Sequence, residues 1–300
     1  MPQRALSPFS SVSAIRRAGL FGLGAAFCFA LMGVAIKFAA TELNNAMVVF
    51  LRNAFGLLAL APVLLRHGAA KLRTERLGMH IARCVIGLSA MYCFFFAIAH
   101  MPLAEAMLLN YSTPLYVPFI AWLWLQERPS AGLIPVVLVG FIGVSLILRP
   151  SNPAAAGWVG LVGLASGVMA AGAFVAIRRL ARTEPALRIV FYFTALSLLI
   201  SALPLPWMWQ MPDARALLLM AMAGGCATLA QICLTRAYAL APAAQVAPFN
   251  YLVVVFAALW GWLIWNERSD ALSIVGALLV VGSSLLALRQ REGAKRATQQ

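Results

Sequence analysis

The run PLAEAMLLNYSTPLYVPFIAWLWLQERPS, residues 102–130, returns 140 positions later as PAAQVAPFNYLVVVFAALWGWLIWNERSD, residues 242–270, without a gap. Pro102 pairs with Pro242, Ala104 with Ala244, Asn110-Tyr111 with Asn250-Tyr251, Trp122 with Trp262, and Glu127-Arg128 with Glu267-Arg268. Upstream the correspondence continues at an offset of 141, with Ala35-Ile36-Lys37 against Ala176-Ile177-Arg178 and Val49-Phe50 against Val190-Phe191. The chain therefore reads as a duplication whose two copies lie in long apolar runs.

Of the 300 residues, 63% are hydrophobic and 11% charged, with a mean hydropathy of +0.88. That leaves too little polar surface to cover a soluble globule of this length. Crossing a hydrocarbon layer of about 30 Å takes roughly 20 helical residues. Apolar runs of that order span residues 18–40, 45–65, 77–99, 103–125, 131–148, 157–180, 186–205, 214–238, 243–265 and 271–288. They are apolar on both alternating faces, which argues against a barrel. The expectation is an all-α integral membrane protein of ten transmembrane helices, with repeats over 16–149 and 150–289, a disordered tail over 1–15 and a basic tail over 290–300.

The net charge of +14 is a nucleic-acid signal only if it is clustered for one. With the N-terminus placed inside, eighteen of the 23 Lys and Arg fall at or near the inner side, and Lys37, Arg52, Arg149, Arg215 and Arg268 toward the outer. This is the positive-inside asymmetry; it puts both termini in the cytoplasm of a bacterial inner-membrane protein and makes nucleic-acid binding unnecessary. Trp122, Trp124, Trp158, Trp207, Trp209, Trp260, Trp262 and Trp265 fall near span ends, as interfacial anchors do. Cys28, Cys84, Cys93, Cys226 and Cys233 lie within spans without a C-x-x-C spacing, so no disulfide framework, metal site or cofactor follows. The apolar run after Arg17 is too long for a cleaved signal peptide.

Five spans is an odd number, so the two copies enter the membrane from opposite sides. Inverted repeats can exchange two arrangements around one central site, which is what an alternating-access carrier needs. In these features the chain resembles a drug/metabolite transporter of the EamA type over residues 18–289: two five-helix repeats, Lys37 and Arg178 closing the first helix of each, Arg52 in helix 2, Pro-Leu-Ala-Glu-Ala at 102–106, and Glu127 and Glu267 after the fourth helix of each half. The resemblance implies that helices 1, 3, 4, 6, 8 and 9 line a central cavity, with 2, 5, 7 and 10 outside.

Ionisable groups in hydrocarbon need a partner, water or a route to the interface. Glu105 shares a helical face with Leu109, Ser112 and Tyr116, and its repeat partner is Gln245. It suits a cationic group of the cargo or a coupling proton, or a pairing with Lys37 or Arg52, or the N-terminus of its own helix. Lys37 is a ligand or a side chain reaching the interface. Arg52 reads as one half of a structural ion pair. Asn110 and Asn250, Tyr111 and Tyr251, and Tyr92 and Tyr238 are candidate cargo contacts or interhelical packing. Pro114, Pro118 and Pro248 are candidate hinges. Glu127 and Glu267 read as caps for the helices that follow them. His67, His80 and His100 lack metal spacing and read as solvated or interfacial.

Phosphate-binding glycine loops, nucleophile elbows and H-E-x-x-H are absent, and no unrepeated His, Asp or Ser cluster marks an interface, so an enzyme or ATP-driven pump has no support. The reading is a secondary transporter of a small polar or amphipathic metabolite, an exporter by the resemblance. Candidate cargoes are an amino acid derivative or an amino-carboxylate metal chelator, with protons as a possible coupling ion. Alternatives are an importer of a flavin or S-adenosylmethionine, and a membrane enzyme acting on lipid or acyl groups.

Overall fold

The computed structural model describes residues 12–67, 73–125, 135, 138–140, 142–143, 146, 157–180, 183–240, 252–268 and 270–297. These residues form helices and connecting turns: α1 (Val12–Ala39), α2 (Asn45–His67), α3 (Leu77–His100), α4 (Leu103–Tyr111), α5 (Thr113–Leu125), α6 (Trp158–Leu180), α7 (Ala186–Ala202), α8 (Leu205–Met208), α9 (Ala214–Leu240), α10 (Leu252–Trp265) and α11 (Ala271–Ala297). Among the described residues, stretches within α1, α2, α3, α6 and α9 are long and apolar enough to cross a membrane.

Helix ends fall where the sequence supplies acceptors for first-turn N–H groups, which have no partner inside the helix. Asn44 Oδ1 accepts from the Met47 N–H at 3.0 Å, Asp213 Oδ1 from Ala216 at 2.7 Å and Asp270 Oδ1 from Ser273 at 3.2 Å, so each caps the helix that follows it. Pro102 and Pro185 precede α4 and α7, a placement that wastes no donor.

Two expectations are corrected. The span expected over 103–125 is two helices meeting at Ser112, because Pro114 has no N–H for the Asn110 carbonyl and Ser112 turns to φ −73°, ψ 3°. The span expected over 186–205 ends at Ala202, and Pro204 starts the short α8. α1 runs from Val12, and α11 continues through an Ala- and Arg-rich stretch to Ala297, a composition of good helix formers.

The packing crosses between the two halves of the sequence. α1 lies most extensively against α9, and α3 against α6; α2 meets α9 and α7, α3 also meets α7, α1 meets α10, and α4 meets both α6 and α10. Ile36, Met47, Ile98, Leu103, Met107 and Leu109 form the fully buried centre. Leu20, Leu58, Leu161, Leu199, Leu218 and Leu278 are more than half exposed, as side chains facing lipid would be. The halves are also tied at each end. At one end Arg215 pairs with Glu42 at 2.9 Å, the Asn44 N–H donates to Gln210 Oε1 at 2.6 Å and Asn44 Nδ2 to the Met208 carbonyl at 2.7 Å. At the other, Thr74 donates to Glu184 Oε1 at 2.7 Å, and Arg188 pairs with Glu184 Oε2 at 2.6 Å. Burial pushes the Glu184 carboxyl up, but the Thr74 hydroxyl and the Arg188 guanidinium outweigh it and hold the group below the usual carboxylate range.

The α2–α9 crossing depends on one missing side chain. A methyl group added at Gly224 would stand 2.7 Å from the Gly56 nitrogen and 2.9 Å from the Phe55 carbonyl carbon, whereas one at Gly225 meets nothing within 4 Å. Gly224→Ala should therefore cost about 1–3 kcal/mol through forced separation of two helices. Gly225→Ala should be neutral or slightly stabilising. Thermal unfolding of the two detergent-purified variants checks this, and equal midpoints would contradict the crossing.

Candidate functional site

α4 is the element around which the site is built. It packs on α6 and α10 and touches α1 and α3, so its side chains face the middle of the bundle. Glu105, on its first turn, is 5% exposed. Asn110, near its end, donates through Nδ2 to Ser166 Oγ of α6 at 3.2 Å, and Ser166 donates to the Gly163 carbonyl at 2.6 Å. The break after Tyr111 is satisfied locally: Ser112 Oγ donates to the Leu109 carbonyl at 2.6 Å and lies 3.3 Å from the Tyr116 hydroxyl. A methyl group at Gly167 would collide with that same Leu109 carbonyl, so the glycine is what lets α6 lie against the break. Tyr111 meets Phe29 of α1 edge to face, and the Tyr92 carbonyl accepts from Asn45 Nδ2 at 2.9 Å.

The structure joins two site residues that the sequence left apart. Lys37, at the end of α1, is paired with Glu267, 230 positions away, and donates to the Met101 carbonyl at 2.8 Å. The second Glu267 oxygen accepts the Leu103 N–H, the first of α4, at 2.9 Å. Trp265 closes over Lys37 with its ring centre 5.2 Å from Nζ. Glu267 thus serves the start of α4, not the helix that follows it, whose cap is Asp270. The side chains of the pair are 13% and 19% exposed, so its charges are screened less than those of a surface pair.

Arg52 makes no ion pair with any described residue; its Nη1 donates to the neighbouring Asn53 Oδ1 at 3.0 Å. His80 is not solvated: it is 1% exposed and stacked on Tyr192 at 4.5 Å. Arg83, which the sequence places among the inner-side cations, is 9% exposed with its guanidinium 3.5 Å from the centre of the Phe193 ring. Trp260 and Trp265 are only partly exposed and pack against Phe27 and Phe38. Glu127, Gln245, Pro248, Asn250 and Tyr251, and the side chains of Pro114, Pro118 and Tyr238, lie outside the described residues.

The EamA-like transporter family model matches residues 16–149 and again 157–289, and the chain belongs to that family. The pseudopaline exporter CntI of Pseudomonas aeruginosa is 37% identical over 91% of this chain and 96% of its own length. The riboflavin transporter of Brucella anthropi is 27% identical over 91% and 99%, and the S-adenosylmethionine uptake transporter of Rickettsia bellii is 25% identical over 83% and 85%. A crystal structure at 20% identity superposes with a TM-score of 0.64 over 91% of this chain and 98% of the other, a likeness of fold. The protein is therefore a multi-span membrane protein of a transporter family.

The two functions of Glu267 separate by substitution. Glu267→Gln keeps an acceptor for the Leu103 N–H and loses the ion pair, at an expected cost of about 1–2 kcal/mol. Glu267→Ala loses both and should cost about 1 kcal/mol more, the worth of a helix cap. Unfolding midpoints of the two variants check the ladder; equal losses would mean that the carboxylate does not hold the start of α4.

Proposed function

We propose that this transporter works as ten spans in two inverted five-helix repeats, over residues 16–149 and 150–289, with both termini cytoplasmic, and that it exports its cargo by alternating access. The observation that carries export is the 37% identity, over nearly the full length of both chains, with a protein named as an exporter. Reciprocal packing supports the repeats: on the 140–141 offset, α1 with α9 corresponds to α6 with α3, and α2 with α9 to α7 with α3. The clasps at the two ends correspond as well, since the connection before α2 meets the region before α9 at one end and the connection before α7 meets the one before α3 at the other.

In this arrangement the Lys37–Glu267 pair and the Glu42–Arg215 pair close the outer end and the Thr74–Glu184 bond closes the inner. Transport requires these ends to open in turn, each clasp being modest enough that neither state is trapped. Glu105, Asn110, Tyr111 and Ser112 on the broken helix, with Tyr92 and Lys37 beside it, form the described wall of the cargo site. Gln245, Asn250, Tyr251 and Tyr238 would complete it from the second repeat. Acidic and basic groups on one path suit a cargo carrying both amine and carboxylate, and a coupling proton has Glu105 as its natural carrier. Pro114, Pro118 and Pro248 are its hinges.

Flux tests the site and direction together. Inside-out membrane vesicles containing the protein should accumulate pseudopaline, the compound named for the relative, and Glu105→Gln or Asn110→Ala should cut the rate at least tenfold at unchanged protein level. Wild-type rates in both variants would sink the site; accumulation of riboflavin or S-adenosylmethionine only in right-side-out vesicles would make the protein an importer. Reporters fused after Asn44 and Pro212 should report outside, and after Ala70 and Ala294 inside; one reversal breaks the topology.

A further inference from the structure

The seam between α2, α3 and α7 contains a concentration of buried nitrogen without partners. Arg52 on α2 and Arg83 on α3 are 8% and 9% exposed, two cations of like sign carried into the interior. Nε of Arg52, Nε and Nη1 of Arg83, and both ring nitrogens of His80 have no hydrogen-bond partner. These are five of the seven such buried side-chain atoms among the described residues. No carboxylate among the described residues is within ion-pair distance of either arginine. Glu184, the acid that acts on His80, is held by Thr74 and Arg188. Buried polar groups in folded chains are nearly always paired, and a buried charge left alone is costly.

The position of these residues is equally informative. The offset of 141 that pairs Val49-Phe50 with Val190-Phe191 also pairs Arg52 with Phe193. Arg83 interacts with both: its guanidinium lies on the Phe193 ring and in the field of Arg52. It therefore sits where corresponding positions of the two repeats converge, and inverted-repeat carriers place cargo at such a junction. The stacking on Phe193 covers a face of the Arg83 guanidinium and leaves the edge N–H groups for a planar acceptor. One turn on, a methyl group at Gly87 would collide with Arg83 Nη1 and stand 3.1 Å from the Phe193 ring, so the bare glycine is what admits the guanidinium to the seam.

We propose that Arg52 and Arg83 form an anion site between α2, α3 and α7, and that it takes a carboxylate of the cargo. The assignment rests on the reading of the chain as a carrier of an amino-carboxylate, and it adds to the α4 residues a cationic contact that the sequence did not reveal. A carboxylate at the free edge of the Arg83 guanidinium, in the field of Arg52, would satisfy N–H donors that the fold leaves unpaired. Without it, the pair is a liability that the fold tolerates.

The test is thermal unfolding of the full-length protein in detergent with iminodiacetate, with its uncharged diamide, or with inorganic phosphate. Iminodiacetate should raise the wild-type midpoint by about 2 °C or more, and the other two should not. Arg83→Met should melt no lower than wild type, since it removes an uncompensated buried charge, and should lose the iminodiacetate shift. Gly87→Ala, which leaves every charge in place, should weaken that shift by displacing the guanidinium. A flat wild-type response, an equal response to the diamide or phosphate, a lower-melting Arg83→Met, or a shift that survives either substitution overturns the site. Vesicle flux is read separately. A wild-type shift without cargo movement would sink the transport direction and cargo while leaving the site standing; cargo movement without a shift would do the reverse.

Discussion

Inside a bilayer a helix end, a helix break or a charge has no water to turn to, so each must find its partner within the protein. The Glu267 carboxylate shows how much of the structure follows from that constraint. Its oxygens answer two demands at once, the Lys37 ammonium at the end of α1 and the unpaired N–H that opens α4. Lys37 in turn supplies a donor to the Met101 carbonyl, in the tight connection between α3 and α4. Four helices and both halves of the sequence are thereby fixed at one point, and α4, whose side chains face the centre, takes its starting position from it.

The same constraint governs the break in the middle of that span. Pro114 removes the donor that would have served the Asn110 carbonyl, and a break left unsatisfied in the core would be costly. Ser112 bonds the Leu109 carbonyl, Asn110 reaches across to Ser166, and Gly167 allows α6 close enough to seal the gap. A helix interrupted in this way keeps polar groups inside the bundle without exposing them to lipid, the kind of device on which the proposed cargo site relies.

Features that repeat or that lie close together in the chain were legible from the amino acids alone. Apolar run length picked out the stretches within α1, α2, α3, α6 and α9 that are long and apolar enough to cross a membrane, and the duplicated Asn-Tyr and Glu-Arg pairs marked two copies in the sequence. The family match at 16–149 and 157–289 falls on the same two copies. Long-range pairings were not legible, because nothing local in Lys37 or Glu267 announces a partner 230 positions away. The burial of Arg83 and His80 was not legible for a related reason: six and three residues into α3, they lie close enough to a basic loop to pass for its extension. Only the packing of α3 on α7 places them in the interior.

The two halves share a scaffold while differing in charge, and the difference has a physical logic. On the proposed arrangement, exchange between two states of similar energy requires the repeats to be alike in helix length and crossing, since each must be able to adopt the packing of the other. Binding has the opposite requirement, because a single small solute is not itself two-fold symmetric and needs different groups on its two sides. The sequence meets both requirements. Lys37 and Arg178, Glu267 and Glu127, Asn110 and Asn250 keep their character across the duplication, so each offers the same kind of group from both halves. Glu105 against Gln245 and Arg52 against Phe193 do not. On the same proposal, those departures put an acidic and a basic group into one half only, the asymmetry that a cargo carrying both amine and carboxylate would use.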